Sequence, residues 1–285
     1  MSANMKEVKL RIKSVQNTMQ ITRAMELVAA SKLRRAQEQV HTCHPYFKEL
    51  YETLREIAAG NTDLTSAYVK EGRNPKACYV LIAGDRGLAG GYHINLFKHL
   101  EKAWAQQESV VLPIGKKAAE YCMRQKVPCL TEEFVQLSGI SAADCSRIAA
   151  LLCCGFLKEN FGHLYLCYTK FISVLEQRPE ILSVLPLSQL VKDRKKEPVR
   201  KLILYEPNAS EVFKAVVPEY AAGLIYGGVC HSMASEQAAR RSAMEAAARN
   251  GREMLEQLQL FYNRVRQAGI TQEISEIMGG AEGGR

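Results

Sequence analysis

The sequence predicts an α/β chain: a long antiparallel coiled coil formed by its two ends, plus a small central α/β domain with a mostly parallel sheet. Three observations lead there. Helix breakers are concentrated in the middle: residues 1–59 hold no glycine and a single proline, Pro45, and seven of the nine prolines lie between 75 and 207. Both ends carry apolar residues at alternating steps of four and three, the mark of a coiled-coil seam. Between them, short β-rich runs alternate with helical ones. The expected division is an N-terminal coiled-coil helix over 1–59, a central Rossmann-like α/β domain over 76–206, a C-terminal coiled-coil helix over 208–278 and a flexible tail over 279–285.

The first element follows from Val8, Ile12, Val15, Met19, Thr22, Glu26, Ala29, Leu33, Ala36 and Val40, an unbroken 4-3 series of more than four heptads. Thr22 and Glu26 interrupt its apolar character. A second stripe, Ile21, Met25 and Val28, lies beside it at that level, so the apolar face is wide where the first stripe fails. About 55 helical residues at 1.5 Å each would extend about 80 Å, longer than a compact domain requires. Pro45-Tyr46 implies a kink or local unwinding rather than a break.

In the middle, Ala77 to Ala83, Ser109 to Ile114, His163 to Ile172 and Val199 to Tyr205 read as strands. Helical stretches lie near 92–107, 116–126 and 139–160, and Lys192 to Pro198 reads as a solvated loop. The last element runs from about Ser210 to Ile277 on the stripe Met244, Ala248, Gly251, Leu255, Leu258, Tyr262 and Val265. Gly251 and Gly269 weaken it locally, and the glycine-rich tail from Gly279 is expected to fray.

Length and composition exclude several classes. At 285 residues with 47% apolar and 24% charged side chains, the chain holds one large or two ordinary domains and is neither disordered nor collagen-like. Its longest uncharged apolar run, Ile148 to Leu157, is half the ~20 residues of a membrane span. Lys6, Lys9, Arg11 and Lys13 precede no apolar core, so a secretory signal is not expected. Nine scattered cysteines with no CxxC pair point to a reducing cytoplasm without a disulfide framework or zinc site, the adjacent Cys153 and Cys154 reading as buried thiols.

Three features bear on chemistry. Gly84-Asp85-Arg86-Gly87-Leu88-Ala89-Gly90-Gly91 follows a strand but fits neither GxxxxGK[ST] nor GxGxxG, and reads as a structural turn rather than a phosphate loop. The six histidines show no HExxH or HxH spacing, so neither a catalytic nor a metal role is expected. Residues 1–35 carry eight basic and two acidic side chains, a charge suited to nucleic acid or an anionic membrane surface. The helix lacks the aromatic interleaving of a single-strand binder, however, and its seam points to another helix as main partner.

The residues also resemble a known family. Ile21-Thr22-Arg23-Ala24-Met25-Glu26-Leu27-Val28-Ala29-Ala30-Ser31-Lys32-Leu33-Arg34-Arg35 is similar to the N-terminal signature of the gamma subunits of bacterial-type F-type ATP synthases. Tyr262 to Ile277, reading YNRVRQAGITQEISEI, resembles their C-terminal signature. Asp85-Arg86-Gly87-Leu88 through Asn95-Leu96-Phe97 resembles the family's central turn, and Ser235 to Arg240 matches again. The resemblance covers the whole chain in order, most weakly over 115–200. Two departures are Gly84, where Ser or Thr is common, and Ala89, where Cys is common. Residues 188–201 also lack the cysteine-bearing insertion of chloroplast members, so thiol switching of that kind is not expected.

The resemblance implies a central rotor shaft, one copy per complex, inside a hexamer of alpha and beta subunits. ATP, ADP and magnesium would bind that hexamer, leaving no cofactor, metal or catalytic residue on this chain. The central domain would meet the epsilon subunit and the c-ring, and ion flow would turn the shaft to drive ATP synthesis or hydrolysis. Met25, Arg266, Gln267, Thr271 and Glu273 are the candidate rotor–stator contacts. Tyr205, Glu206 and Glu211 are candidates for the c-ring or epsilon contact. The complex would hold the chain peripherally at the cytoplasmic face of the bacterial membrane. The rival reading is a cytoplasmic basic coiled-coil adaptor or nucleic-acid-binding protein.

Overall fold

A computed structural model describes residues 2–60, 66–70, 72–104, 108–131, 135–188, 190 and 205–282. It divides into two compact units, one made of the N-terminal 30 residues and the chain from Arg240 onward, the other of Ser31–Ala239. Two helices run through both: α1 (Ser2–Gly60), which contains Pro45, and the final helix α5 (Ala209–Glu282), which contains Pro218. Helix α5 continues past the expected end at 278, through Gly279 and Gly280.

The larger unit is built on a four-stranded sheet. Its elements are β1 (Ala77–Ile82), α2 (Tyr92–Trp104), β2 (Ser109–Ile114), α3 (Lys116–Gln125), a 3-10 turn at Leu137–Gly139, α4 (Ala142–Leu157), β3 (His163–Phe171) and β4 (Gln177–Leu185). The strand order is β2-β1-β3-β4. Strand β1 pairs parallel with β2 and β3, and β3 pairs antiparallel with β4.

Both faces of the sheet are covered, which is why β1 is buried along its whole length. Cys78, Val80 and Ile82 face one side, together with α4, Leu54 and Ile57 of α1, and Phe213, Val217 and Ile225 of α5. Ala77, Tyr79 and Leu81 face the other, packing on Leu96 and Leu100 of α2 and Ala118 and Tyr121 of α3. The two-residue period of the strand thus divides its side chains between two helical layers.

Local chemistry sets the element ends. Ser141 accepts a hydrogen bond from the Asp144 N–H while Asp144 accepts from the Ser141 N–H, a reciprocal cap that starts α4. Gly115 ends β2 at φ 92°, and a Cβ there would stand 1.9 Å from the Ala83 carbonyl oxygen, so only glycine lets β2 turn into α3. Pro113 lies in β2, an edge of the sheet. Val111 and Gly115 on either side of it direct their N–H groups away from β1, to Pro128 and Val135. A proline in the same phase therefore forfeits no ladder bond to β1.

The sequence reading missed one of the described strands, while the strand expected at Val199 to Tyr205 is left untested. Residues 199–204 lie outside the described residues, and Tyr205 stands in the irregular approach to α5. The missed strand is Gln177–Leu185, whose polar start and Pro179 mask a β pattern. Cys153 is buried as expected, but Cys154 is exposed on α4.

In the smaller unit, the seam residues of α1 and α5 are the sheltered ones: Val8, Ala29 and Met244 are buried, and Met19, Thr22, Glu26, Leu255, Leu258 and Tyr262 are half-buried. Gly251 has a packing reason. A Cβ at that position would stand 2.6 Å from Met19 Cγ, so α1 lies close against α5 there.

Candidate functional site

The Gly84 to Gly91 run is a turn closed by its own acid. Asp85 Oδ1 accepts hydrogen bonds from the N–H of Lys116, the first residue of α3, at 3.1 Å, and of Leu137 at 3.1 Å. Its Oδ2 accepts from Ser138 N–H at 2.9 Å. Partial burial works against the carboxylate charge, but the N–H groups of Ser138, Lys116 and Leu137 outweigh it and hold its pKa below the ordinary value. A helix N-terminus beyond a strand is where a phosphate would sit. Here a carboxylate of the chain occupies it.

Beside the turn lies a buried polar network that sequence reasoning missed. Glu236, on α5, is buried, and a Cβ on Gly84 would stand 2.5 Å from its carboxyl carbon. Tyr92 donates to the Ser232 carbonyl at 3.2 Å, Ser232 Oγ accepts from Thr169 N–H, and Ser235 donates to the Thr169 carbonyl at 3.0 Å. Burial, followed by the charge of Glu236, raises the Tyr92 pKa. These bonds tie α5 to the end of β3 and the start of α2. A signal existed: Ser232, Ser235 and Glu236 share one face of an otherwise alanine-rich helix.

The candidate rotor–stator residues all lie in the smaller unit, but at two levels. Arg266, Gln267, Thr271 and Glu273 are exposed on the last turns of α5, with Thr271 donating to the Gln267 carbonyl at 3.0 Å. Met25 is half-buried on α1, six residues inward from Met19, which meets Gly251. Arg266 lies fifteen residues outward from Gly251, so about 30 Å of helix separates it from Met25. Met25 and the C-terminal sector therefore stand at different levels of the helix pair. Apolar side chains off the seam remain bare at both levels: Ile21 is 60% and Val28 56% exposed, as are Ile270 at 47% and Ile274 at 56%.

The other candidates stand together at the start of α5. Tyr205 packs against the core beside Glu56, while Glu206 and Glu211 are exposed. Asn208 Oδ1 accepts from the Glu211 N–H at 2.9 Å and caps the helix, and Glu211 pairs with Lys214 at 2.9 Å. Among the described residues no group of three or more His, Cys, Asp or Glu is placed to hold a metal, and no helix is long and apolar enough to cross a membrane.

This arrangement has known counterparts. The sequence model of the ATP synthase family matches residues 4–283. The chain is 44% identical over 282 residues to the ATP synthase gamma chain of Ruminococcus albus, covering 96% of each. The chain belongs to the ATP synthase gamma family. It is also 37% identical to the sodium ion specific ATP synthase gamma chain of Acetobacterium woodii, covering 99% of each. Its fold matches a chain of the Euglena gracilis mitochondrial ATP synthase OSCP/F1/c-ring structure in rotational state 3, with TM-score 0.69, 17% identity, and coverage of 98% of this chain and 94% of that one. A chain of the rotor structure of the same enzyme in rotational state 1 matches with TM-score 0.62 and 14% identity, over 95% of this chain and all of that one. For the gamma family, then, the fold includes the paired terminal helices and the mostly parallel sheet between them.

Proposed function

We propose that this chain is the central rotor shaft of an F-type ATP synthase and couples ion flow to ATP synthesis or hydrolysis. Family membership supports the reading, and one observation on the molecule carries it. The paired helices of the smaller unit satisfy each other along a 4-3 seam, yet leave Ile21, Leu27, Val28, Ile270 and Ile274 bare. Two helices already paired have no need of that apolar surface, so it serves a surrounding protein. That partner is the hexamer of alpha and beta subunits, where ATP, ADP and magnesium bind. This chain supplies no catalytic group.

Its action is differential contact. One rigid element, presenting unequal faces, favours a different conformation in each beta subunit it meets, and turning it moves each site through the series. The larger unit receives the torque from the c-ring and epsilon subunit. The network of Glu236, Ser232 and Ser235 then passes it to α5 without slip. The complex places the chain at the cytoplasmic face of a bacterial membrane, peripherally and in one copy.

Co-purification from the native membrane tests the reading. Recovery of the chain with two larger nucleotide-binding subunits and a membrane ring supports it. Salt-sensitive binding to DNA without those subunits would replace it with the adaptor or nucleic-acid reading.

A further inference from the structure

Within the larger unit α1 and α5 run antiparallel, and their facing residues can be read off. Leu33 and Ala36 cluster with Ala234 and Ala238. Phe47 lies over Gly223 and Gly227, where added Cβ atoms would meet its ring at 2.5 and 3.1 Å. Tyr51 meets Tyr220, with ring centroids 6.0 Å apart. Cys43 stands on the same seam, one helical turn before Phe47 and two after Ala36. The residues facing it must lie between Gly227 and Ala234, and there the seam of α5 carries Cys230. Glycine and alanine on either side bring the two backbones close, which suits a disulfide, whose Cα atoms stand only about 4.4–6.8 Å apart.

We propose that Cys43 and Cys230 form a reversible dithiol–disulfide site that joins α1 to α5, oxidised by low-molecular-weight disulfides. The register sets the two thiols facing each other, and the Cys43 thiol is near enough to disfavour ionisation of Cys230. They differ in access, Cys43 being half-buried and Cys230 only 2% exposed. Burial first, and then the Cys43 thiol beside it, pushes Cys230 up to about 12. Cys43 is therefore the entry point.

The Cys43 thiolate attacks one sulfur of the small disulfide, forming a mixed disulfide and releasing one small thiolate. Cys230 then gives up its proton and attacks the Cys43 sulfur, expelling the second thiolate. The two protein thiols lose two electrons and two protons, and the small disulfide becomes two thiols. The bridge closes a loop of almost the entire larger unit. The sequence offers no hint of it, because the two cysteines are far apart in the chain and share no motif.

A second pair of neighbouring thiols, buried Cys122 and exposed Cys129, lies at the end of α3, and the test separates the two. The full-length chain is incubated with glutathione disulfide, its remaining thiols are alkylated, and it is digested for mass spectrometry. The expected product is a Cys43 peptide linked to a Cys230 peptide, with a faster band on a non-reducing gel that dithiothreitol reverses. Cys43→Ser and Cys230→Ser should each abolish that band, and Cys129→Ser should leave it. Separate alkylated or glutathionylated Cys43 and Cys230 peptides in the wild-type chain would overturn the proposal. So would a fast band that survives Cys43→Ser. The wild-type peptide map decides the matter even where a variant fails to fold, and it is independent of the rotor reading.

Discussion

The carboxylate of Glu236 fills the space above Gly84: its carboxyl carbon stands 2.5 Å from where a Cβ on that glycine would be. The contact joins the turn after β1 to α5. Glu236 is buried, so it cannot swing into solvent to make room. Gly84→Ala should therefore destabilise the chain by about 1–3 kcal/mol through overpacking. The same substitution in a Glu236→Ala background should cost much less, because the obstacle is gone. Chemical unfolding of the four proteins completes the cycle, and strict additivity would show that the two positions do not interact.

Asp85 makes a second prediction, with a defined pH sense. Its folded pKa lies below the ordinary carboxylate value, because the N–H bonds outweigh the effect of partial burial. A depressed folded pKa means that its stabilisation is fully present above the unfolded value of about 3.9 and is lost as pH falls through the folded one. Asp85→Asn should cost roughly 1–2 kcal/mol near neutral pH, discounted for partial exposure. The cost should shrink below about pH 4. Equal cost at pH 3 and pH 7 in denaturant melts would count against the charge as the cause.

These two contacts mark where the sequence was legible. The 4-3 seams of both terminal helices were, because periodicity is local: Val8 to Val40 and Met244 to Val265 are the sheltered residues of their helices. Three of the four described strands were legible because β1, β2 and most of β3 are runs of buried apolar residues. Strand β4 was not, since an edge strand tolerates Arg178, Pro179 and Glu180, which a central strand would exclude. The turn at Asp85 was legible as a turn, yet its purpose was not. The three N–H groups that hold the carboxylate come from Lys116, Leu137 and Ser138, and nothing local ties them to residue 85. Glu236 and Cys230 escaped for the same reason: their partners sit more than 140 residues away.

A third prediction concerns catalysis. The N-terminus of α3 is occupied by Asp85, and the turn after β1 lacks the lysine and hydroxyl residue of a phosphate loop. Purified chain free of alpha and beta subunits should hydrolyse no ATP above background. Turnover that copurifies with the chain through a final sizing step would refute this.

The last prediction concerns the end of α5. At about 100° per residue, Arg266, Gln267, Thr271 and Glu273 fall within one sector of about 160°. That sector is exposed and sets these polar side chains beside the bare Ile270 and Ile274, whereas Leu258 and Tyr262 a turn or two earlier are half-buried in the seam. Were the sector only a solvated face, its charges would contribute about 0.2–1 kcal/mol per ion pair, and removing them would pass unnoticed. If instead they meet the surrounding subunits, the loss falls on function and not on folding, since no core volume is removed. Arg266→Ala with Glu273→Ala should therefore give a chain that folds and assembles normally. ATP hydrolysis, ATP-driven ion pumping or the ratio between them should fall severalfold in reconstituted complexes. Met25→Ala, about 30 Å away along the helix pair, should act separately, with effects that add to those of the double variant. Unchanged hydrolysis and pumping would reject the C-terminal sector as a contact. Failure to assemble on a native gel would make these residues structural.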